Sequence, residues 1–491
     1  MRSEVGGGAA ARSKSHCPQR RGLHPCEATP YWQSTRHSIH TTLVEPAAGV
    51  IHSDHENAPR PENLHRYAAD TSVDHTDLAG RPPSLMRNPE HTLSDLRGSF
   101  RAEQRESQTR ASPDERVRVR TTRIVGWNDV PGLEASWGAL LNLTPGHSVF
   151  QTYAWNVCWW KAFRGSHELF VILGHIGSRL VGIAPMMIST EKGLLGEVRR
   201  VRFIGSSNNA SDYCDFITDP AVPCALDALL DEVGISSGRF DRMDLSNFPS
   251  HSAHRNRILE YCKSRNTRLA VDFQADAPVR ILGDRQADLK AANKSSLKRH
   301  TKFFEKSGDL RFHQCQSEDE ILGYLDRFFE QHKSRRAQTG SPSQFLDPAQ
   351  QAFYRELVQR NFRLGWLRFD VVLFNAAPLA FHFGFEYQGR FIWYKPTFDV
   401  QFASRSPGEV LIKFLLEDAI RKGLQEFDFT VGSESFKYRF ANRIRYNERL
   451  IAFRFARDFW LHGGICRGKS LLKKLLRRNE AQRSGAESAQ Q

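Results

Sequence analysis

Three stretches of this chain set groups capable of chemistry at defined spacings. Between Phe398 and Glu409 the sequence reads FDVQFASRSPGE, with Ser406 at a helix cap, Pro407 at the first helical position and Glu409 completing a capping box. A start fixed in that way aims backbone N–H groups and the positive end of the helix outward. Arg405 adds a formal charge and Gly408 lets a ligand approach the backbone, so the stretch suits a phosphate. The same residues would also cap a purely structural helix. In the second stretch, FHFGFE, strand alternation puts Phe381, Phe383 and Phe385 on one face and His382, Gly384 and Glu386 on the other. His382, with an ordinary pKa of about 6.5, is a candidate general base toward an attacking amine or hydroxyl, with Glu386 as its orienter or as the base itself. The structural alternative is a histidine satisfied by hydrogen bonds inside the sheet. The third stretch, FDFTVGSESFKYRF from Phe427, ends a strand at Gly432 beside Asp428, Glu434 and Lys437, and strand ends are where α/β sheets place their sites. Asp428 faces away from Phe427 and Phe429, so it either lines a cleft or pairs with Lys437 or Arg439.

The elements that must position these groups follow from periodicity. WLRFDVVLF and LAFHFGFEY form a hairpin through Asn375 to Pro378, Gln388-Gly389-Arg390 is a tight turn, and FIWYKPTF is the next strand. A helix over 407–422 stops at Gly423, EFDFTVG follows as a strand, and ERLIAFRF is the last one. Helices over 318–337 and 349–365 precede this set. A similar order runs from about residue 118: a strand, helices over 131–143 and 151–163, a hairpin of LFVILGHIG with LVGIAPMMIS, then RRVRFIG, FDRMDLSNF and LAVDF with helices between. Mixed α/β is the fold class this order specifies, and the chain repeats itself.

Composition bounds the rest. At 491 residues, with 33 Phe and 9 Trp, the chain can build more than one sizeable core. The balance of 69 basic against 55 acidic residues gives +14, which favours anionic partners. Residues 287–307, ADLKAANKSSLKRHTKFFEKS, form a basic helical segment with Lys290, Lys294, Lys298, Arg299, Lys302 and Lys306 mostly along one side; no aromatic platform or nucleic-acid motif accompanies them. Residues 1–117, rich in Ser, His, Arg and Pro, read as disordered. Nine of the 19 histidines fall there without ligand spacing, so no metal site is expected. Eight cysteines without a CxxC pair suit reduced thiols in a cytoplasm, and neither a secretory signal nor a membrane span is evident. There is no Gly-x-Gly-x-x-Gly, Walker A loop, HExxH or Gly-x-Ser-x-Gly, which disfavours nucleotide hydrolysis, Rossmann redox chemistry and serine hydrolysis.

Taken together, SVFQTYAWNVCWWKAF, RFIGSSNNASDYCDF, FDVQFASRSPGEVL and EFDFTVGSESFKYRF resemble the CelD-like, or BioF-like, acetyltransferase-domain proteins of the GNAT superfamily, over about residues 120–460. The most specific pieces are Ser406-Pro407-Gly408 and the spacing of Asp428, Phe429, Gly432 and Lys437; the loop departs from the Arg-x-x-Gly-x-Gly/Ala of the main GNAT families. The resemblance implies two tandem GNAT-like mixed-sheet domains, as in the FemAB peptidyltransferases. These would be a degenerate one over 118–286, a basic connector over 287–307, an acetyltransferase-like domain over 308–460 and a basic tail over 461–491. It further implies a cytoplasmic bacterial N- or O-acyltransferase acting in exopolysaccharide, cellulose or envelope metabolism on a small-molecule, saccharide or lipid-linked acceptor. The pyrophosphate of acetyl-CoA or another acyl-CoA would rest on Arg405, Ser406, Pro407 and Gly408. His382 or Glu386 would act as base, Asp428, Glu434 and Lys437 would shape the acceptor side, and Asp212, Tyr213 and Asp215 would lie near the interface of the halves. Two alternatives are an aminoacyl transferase fed by aminoacyl-tRNA and a non-catalytic scaffold in polysaccharide assembly, the latter touching an anionic membrane through the tail from Lys469 to Arg478.

Overall fold

The computed structural model describes residues 41–44 and 118–468, apart from 194, 195, 209, 339 and 341. The expectations of disorder over 1–117 and of a basic membrane-contacting tail from Lys469 to Arg478 fall outside the described residues, save for a four-residue strand, β1 (Thr41–Val44).

In the first half, β2 (Arg120–Ile124) is followed by α1 (Leu133–Leu143) and α2 (Tyr153–Phe163), then by β3 (Glu168–Ile176), β4 (Arg179–Gly193) and β5 (Gly196–Phe203). β3 and β4 are the expected hairpin. Six consecutive residues of β3 are buried because both faces are covered. Leu169, Val171 and Leu173 pack with α1 and α2, whereas Phe170 and Ile172 pack with α3 (Cys224–Val233) and α4 (Arg255–Ser264). The short β6 (Ile217–Thr218) pairs with β4, β7 (Arg242–Pro249) runs parallel to β5, and β8 (Arg268–Ile281) ends this half.

The second half opens with α5 (Arg285–Ala292) and α6 (Ser295–Ser307). Residues 287–307 are therefore two helices, not one basic segment, because Lys294 takes an extended conformation (φ −55°, ψ 147°) between them. Next come β9 (Leu310–Gln314), α7 (Glu318–Ala337) and α8 (Pro348–Arg363). Ser317 caps α7 by accepting from Glu320 N, and Asp347 with Pro348 starts α8, both as local chemistry dictates. β10 (Leu367–Phe374), β11 (Ala377–Tyr387), β12 (Arg390–Phe398), α9 (Pro407–Arg421), β13 (Glu426–Asp428), α10 (Ser435–Phe440) and β14 (Arg443–Phe453) complete it. Gly423, at φ 69°, closes α9 in the left-handed conformation expected of it.

All strands join one mixed sheet, ordered β2-β3-β4-β5-β7-β14-β8-β13-β12-β11-β10-β9 along its main path. Each half contains a parallel pair joined by a helix, β5-α3-β7 and β12-α9-β13. The closing strands are exchanged: β14 pairs with β7 and β8, and β8 pairs with β13. On one face α1, α2, α7 and α8 share a single apolar core; on the other, α3 with α4 and α9 with α6 cover separate ones. Phe381, Phe383 and Phe385 face the shared core, as alternation required. No helix of the described residues is long and apolar enough to cross a membrane.

Candidate active site

The site begins where two parallel strands part. β12 and β13 pair over only three residues each, Arg390–Ile392 with Glu426–Asp428, after which β12 continues and β13 stops. Two local features force the parting. On β12, Trp393 and Tyr394 together oppose the single Gly384, a bulge that bends the strand. A Cβ on Gly384 would sit 2.3 Å from the Ile392 carbonyl oxygen and 2.4 Å from the His382 ring, so only glycine fits. After β13, Thr430 turns to φ 57° and Gly432 to φ 138°.

A loop from the first half reaches this gap. Tyr213 Oη donates to Asp428 Oδ1 (2.8 Å), Tyr394 Oη donates to the Ala210 carbonyl (2.6 Å), and Trp155 Nε1 donates to Ser211 Oγ (2.8 Å). Asn447 Nδ2, from β14, donates to the Asp212 carbonyl (2.7 Å). Both halves therefore hold Asp212 and Tyr213 against β12 and β13. Asp428 alternates with Phe427 and Phe429, which lie under α9, and so faces the opposite side of the sheet from that helix.

Burial sets the electrostatics. Asp428 is 3% exposed and its carboxyl is pushed up to about 6 by burial, aided by the Glu426 charge and opposed by hydrogen bonds from Thr430 N and Tyr213. Asp212, also buried, is raised by burial against the pull of Lys395 and Lys437. The Lys395 ammonium is lowered by burial, with Asp212 opposing. Lys437 is buried, donates to the Val431 carbonyl (2.7 Å) and pairs with Glu434 (3.1 Å). Asp212, an acid that resists ionisation, faces Lys395, a lysine that resists protonation, and Asp428 resists ionisation across Tyr213 from it, an arrangement suited to proton transfer.

The structure brings Asp428, Glu434, Lys437, Asp212 and Tyr213 together. It separates the others. Asp215 bonds to Ser252 (2.5 Å) and to His254 Nδ1 (2.8 Å), fixing the start of α4 instead of facing the gap. His382 has no accessible surface; its ring stacks on Phe391 and Trp393, and its Nδ1 lies 3.1 Å from Asp370 Oδ2. Burial lowers its pKa, and no acceptor can reach it. Glu386 does not contact His382: it pairs with Arg368 (3.0 Å) and Lys422 (2.8 Å), and Arg368 also binds Asp370 and Asp418 in a buried network. These two residues are structural, and the expectation of a His382–Glu386 base pair is corrected accordingly.

The capping box at α9 is absent too. Ser406 lies in the left-handed region (φ 52°) and its side chain makes no cap hydrogen bond, and Glu409 pairs instead with Arg439 (2.8 Å). What remains is a helix start without a side-chain cap. Pro407 is buried there, Gly408 is half-buried against Phe398, and the exposed Arg405 rests over the Phe303 ring without an acidic partner among the described residues. Lys395, Tyr394 and Thr430 were missed in the sequence; a lysine inside a strand rich in aromatics was the available signal. Two clusters that could hold a metal ion, Asp272 with His462 and Cys466, and His313 with Cys315 and Glu320, also had no sequence signature.

Residues 291–438 match the family model of the acetyltransferase (GNAT) domain. No curated protein matches the chain. Among solved structures, FemX is 10% identical and aligns over 67% of this chain and 96% of its own, with a TM-score of 0.47. The tandem GNAT protein from the clavulanic acid biosynthesis pathway is 11% identical over 68% and 98%, at 0.41. A conserved protein of unknown function from Bacteroides thetaiotaomicron is 13% identical over 65% and 97%, at 0.43. The segment that matches the acetyltransferase (GNAT) domain contains the β12–β13 gap with Lys395, Asp428 and Lys437, while Asp212 and Tyr213 reach it from outside that segment.

Proposed function

We propose that the protein is an acyltransferase that moves an acyl group from acyl-CoA to an amine or hydroxyl acceptor. The observation that carries this reading is Asp428: a buried carboxyl near pH 6, at the mouth of a strand gap, held by a tyrosine from the other half. Acyl-CoA would approach from the α9 side, with its pyrophosphate at the uncapped helix start beside Arg405, Ser406, Pro407 and Gly408, where backbone N–H groups and the helix dipole favour phosphate. The acceptor would enter from the other face. Asp428 accepts the proton of the attacking amine or hydroxyl as the new bond to the acyl carbon forms, the thioester C–S bond breaks, and the departing CoA thiolate takes up a proton; Tyr213 orients the carboxylate, and the bulge at Trp393 and Tyr394 releases backbone from the ladder to meet the reacting carbonyl. Lys395, Asp212 and the Lys437–Glu434 pair shape the acceptor's polar surroundings. Acceleration comes mainly from holding both substrates in line.

An acceptor from exopolysaccharide, cellulose or envelope metabolism and a cytoplasmic setting belong to this proposal through family resemblance. Calorimetric titration of acetyl-CoA and longer acyl-CoAs into the protein tests it, with Gly408→Glu as the variant that blocks the helix start. Saturable binding lost in Gly408→Glu is the expected result. Failure of every acyl-CoA to bind would sink it. Salt-sensitive tRNA binding lost on neutralising Lys294 and Lys298 would then move the reading to an aminoacyl-tRNA donor, and absence of both to a scaffold.

A further inference from the structure

The break between α5 and α6 opens a cavity of about 520 Å³ lined by Arg280, Lys290, Lys294, Ser295, Ser296 and Arg439. No carboxylate lines it. Asp288 neutralises Arg280 (2.9 Å) and Glu409 pairs with Arg439 (2.8 Å), but Lys290 has no partner among the described residues and Lys294 Nζ donates only to the Arg439 carbonyl. Burial lowers the Lys294 ammonium, and the charges of Arg439 and Arg280 lower it further, as happens where cations outnumber the anions among them. α6 starts at the rim with no side-chain cap, so its first-turn N–H groups add to the positive field. One residue ties the cavity to the active site. Arg439 reaches Ser296 Oγ (3.2 Å) on one side and Glu409, in the first turn of α9, on the other.

We propose that this cavity is a phosphate site, and that its occupant is the ribose 3′-phosphate of the CoA donor whose pyrophosphate lies at α9. The assignment rests on the acyl-CoA reading above, and the cavity's phosphate chemistry is separable from it. A dianionic monoester replaces the missing counter-charge for Lys290 and Lys294 and meets paired hydroxyls at Ser295 and Ser296. Arg439, which lines this cavity and pairs with Glu409 in the first turn of α9, would set the spacing between the two phosphorylated ends of one nucleotide.

The test compares CoA, 3′-dephospho-CoA and inorganic pyrophosphate by calorimetric titration into the full chain, the Lys290→Glu variant and a Lys298→Glu control. Lys290 and Lys298 are both exposed, so both variants should fold, and Lys298 does not line the cavity. The wild type is expected to bind CoA about tenfold more tightly than dephospho-CoA, which is the scale of one charge-assisted contact. Lys290→Glu should erase that difference by weakening CoA alone, and Lys298→Glu should leave it. Equal affinity of the wild type for the two nucleotides overturns the assignment, as does an equal loss in both charge variants, which would mark a diffuse field. If neither nucleotide binds, the acyl-CoA reading fails with the donor assignment. Pyrophosphate binding lost in Lys290→Glu would then retain the phosphate site with another phosphorylated ligand, and its absence would remove the site as well.

Discussion

The two halves finish their parallel crossovers on the same local pattern, a buried aspartate two residues before a hydroxyl: Asp244 and Ser246 on β7, Asp428 and Thr430 at β13. Their charge states diverge. Burial pushes the Asp244 carboxyl up, but Arg449 beside it and a hydrogen bond from Ser246 (2.7 Å) outweigh that and hold it well below the usual carboxylate range. Asp428 meets Tyr213 where Asp244 meets an arginine, no ion pair reaches it among the described residues, and burial wins. One sequence pattern thus yields glue in the first half and a titrating group in the second, and the facing residue decides which. The order of strands explains the choice, because β14 inserts against β7 and delivers Arg449 there.

Replacing each aspartate in turn is the most severe way to break this contrast. Asp428→Asn should lower kcat by about 10²- to 10⁴-fold, as loss of a general base does, without lowering Tm at neutral pH. Full activity in that variant would remove Asp428 from the chemistry. Asp244→Asn should do the reverse, leaving Arg449 unpaired and costing about 3 kcal/mol of stability by denaturant titration, with kcat per folded molecule kept. Equal effects of the two changes on activity would mean the halves are not divided as described.

A finer test uses pH, for which the two groups have opposite signs. The folded-state pKa of Asp428 is raised above its unfolded value of about 3.9, so the folded state binds the extra proton. Its contribution to stability, on the order of 3 kcal/mol, is complete below about pH 4 and lost as pH rises through about 6. For Asp244 the folded pKa is depressed, so its stabilisation is present above about pH 4 and lost as pH falls below that. Tm against pH for the wild type and the two variants should therefore show gaps that change in opposite directions, and parallel curves would refute the assigned charge states. The acidic limb of kcat should follow Asp428 near pH 6. Tyr213→Phe, which removes a bond to the carboxylate, should move that limb upward and slow turnover about tenfold.

The smallest effect lies at the starts of the two crossover helices. Pro223 before α3 is right-handed, whereas Ser406 before α9 is left-handed without a cap bond. Ser406→Gly should be neutral or stabilising by up to about 1 kcal/mol in thermal unfolding, since glycine takes that conformation without strain. A loss of about 1 kcal/mol would instead signal a working serine cap.

Much of the scaffold was legible because its signals are local. An apolar run over 170–188 broken by His175, Arg179 and three glycines announced the β3–β4 hairpin, and Pro407 and Gly423 bounded α9 to within a residue or two. The site was legible only in part. Asp428, Glu434 and Lys437 stand at a strand end, which the Gly432 signal marks, but His382 looked equally suited until burial against Phe391 and Trp393 removed it. Nothing near Lys294 in the sequence announced that the basic run would break there.

What the sequence determined by itself is what neighbouring residues settle among themselves: the α/β order, its repetition, the face each phenylalanine takes and the ends of the helices. Tertiary structure decided the rest. Tyr213 bonds Asp428 across 215 residues of chain, and Arg449 reaches Asp244 across 205. A carboxyl's charge depends on the solvent it loses and the partner it gains, and both are set by which distant strand lies opposite. Local pattern does not contain that information, so the same Asp-x-hydroxyl motif became a clamp in one half and a candidate base in the other.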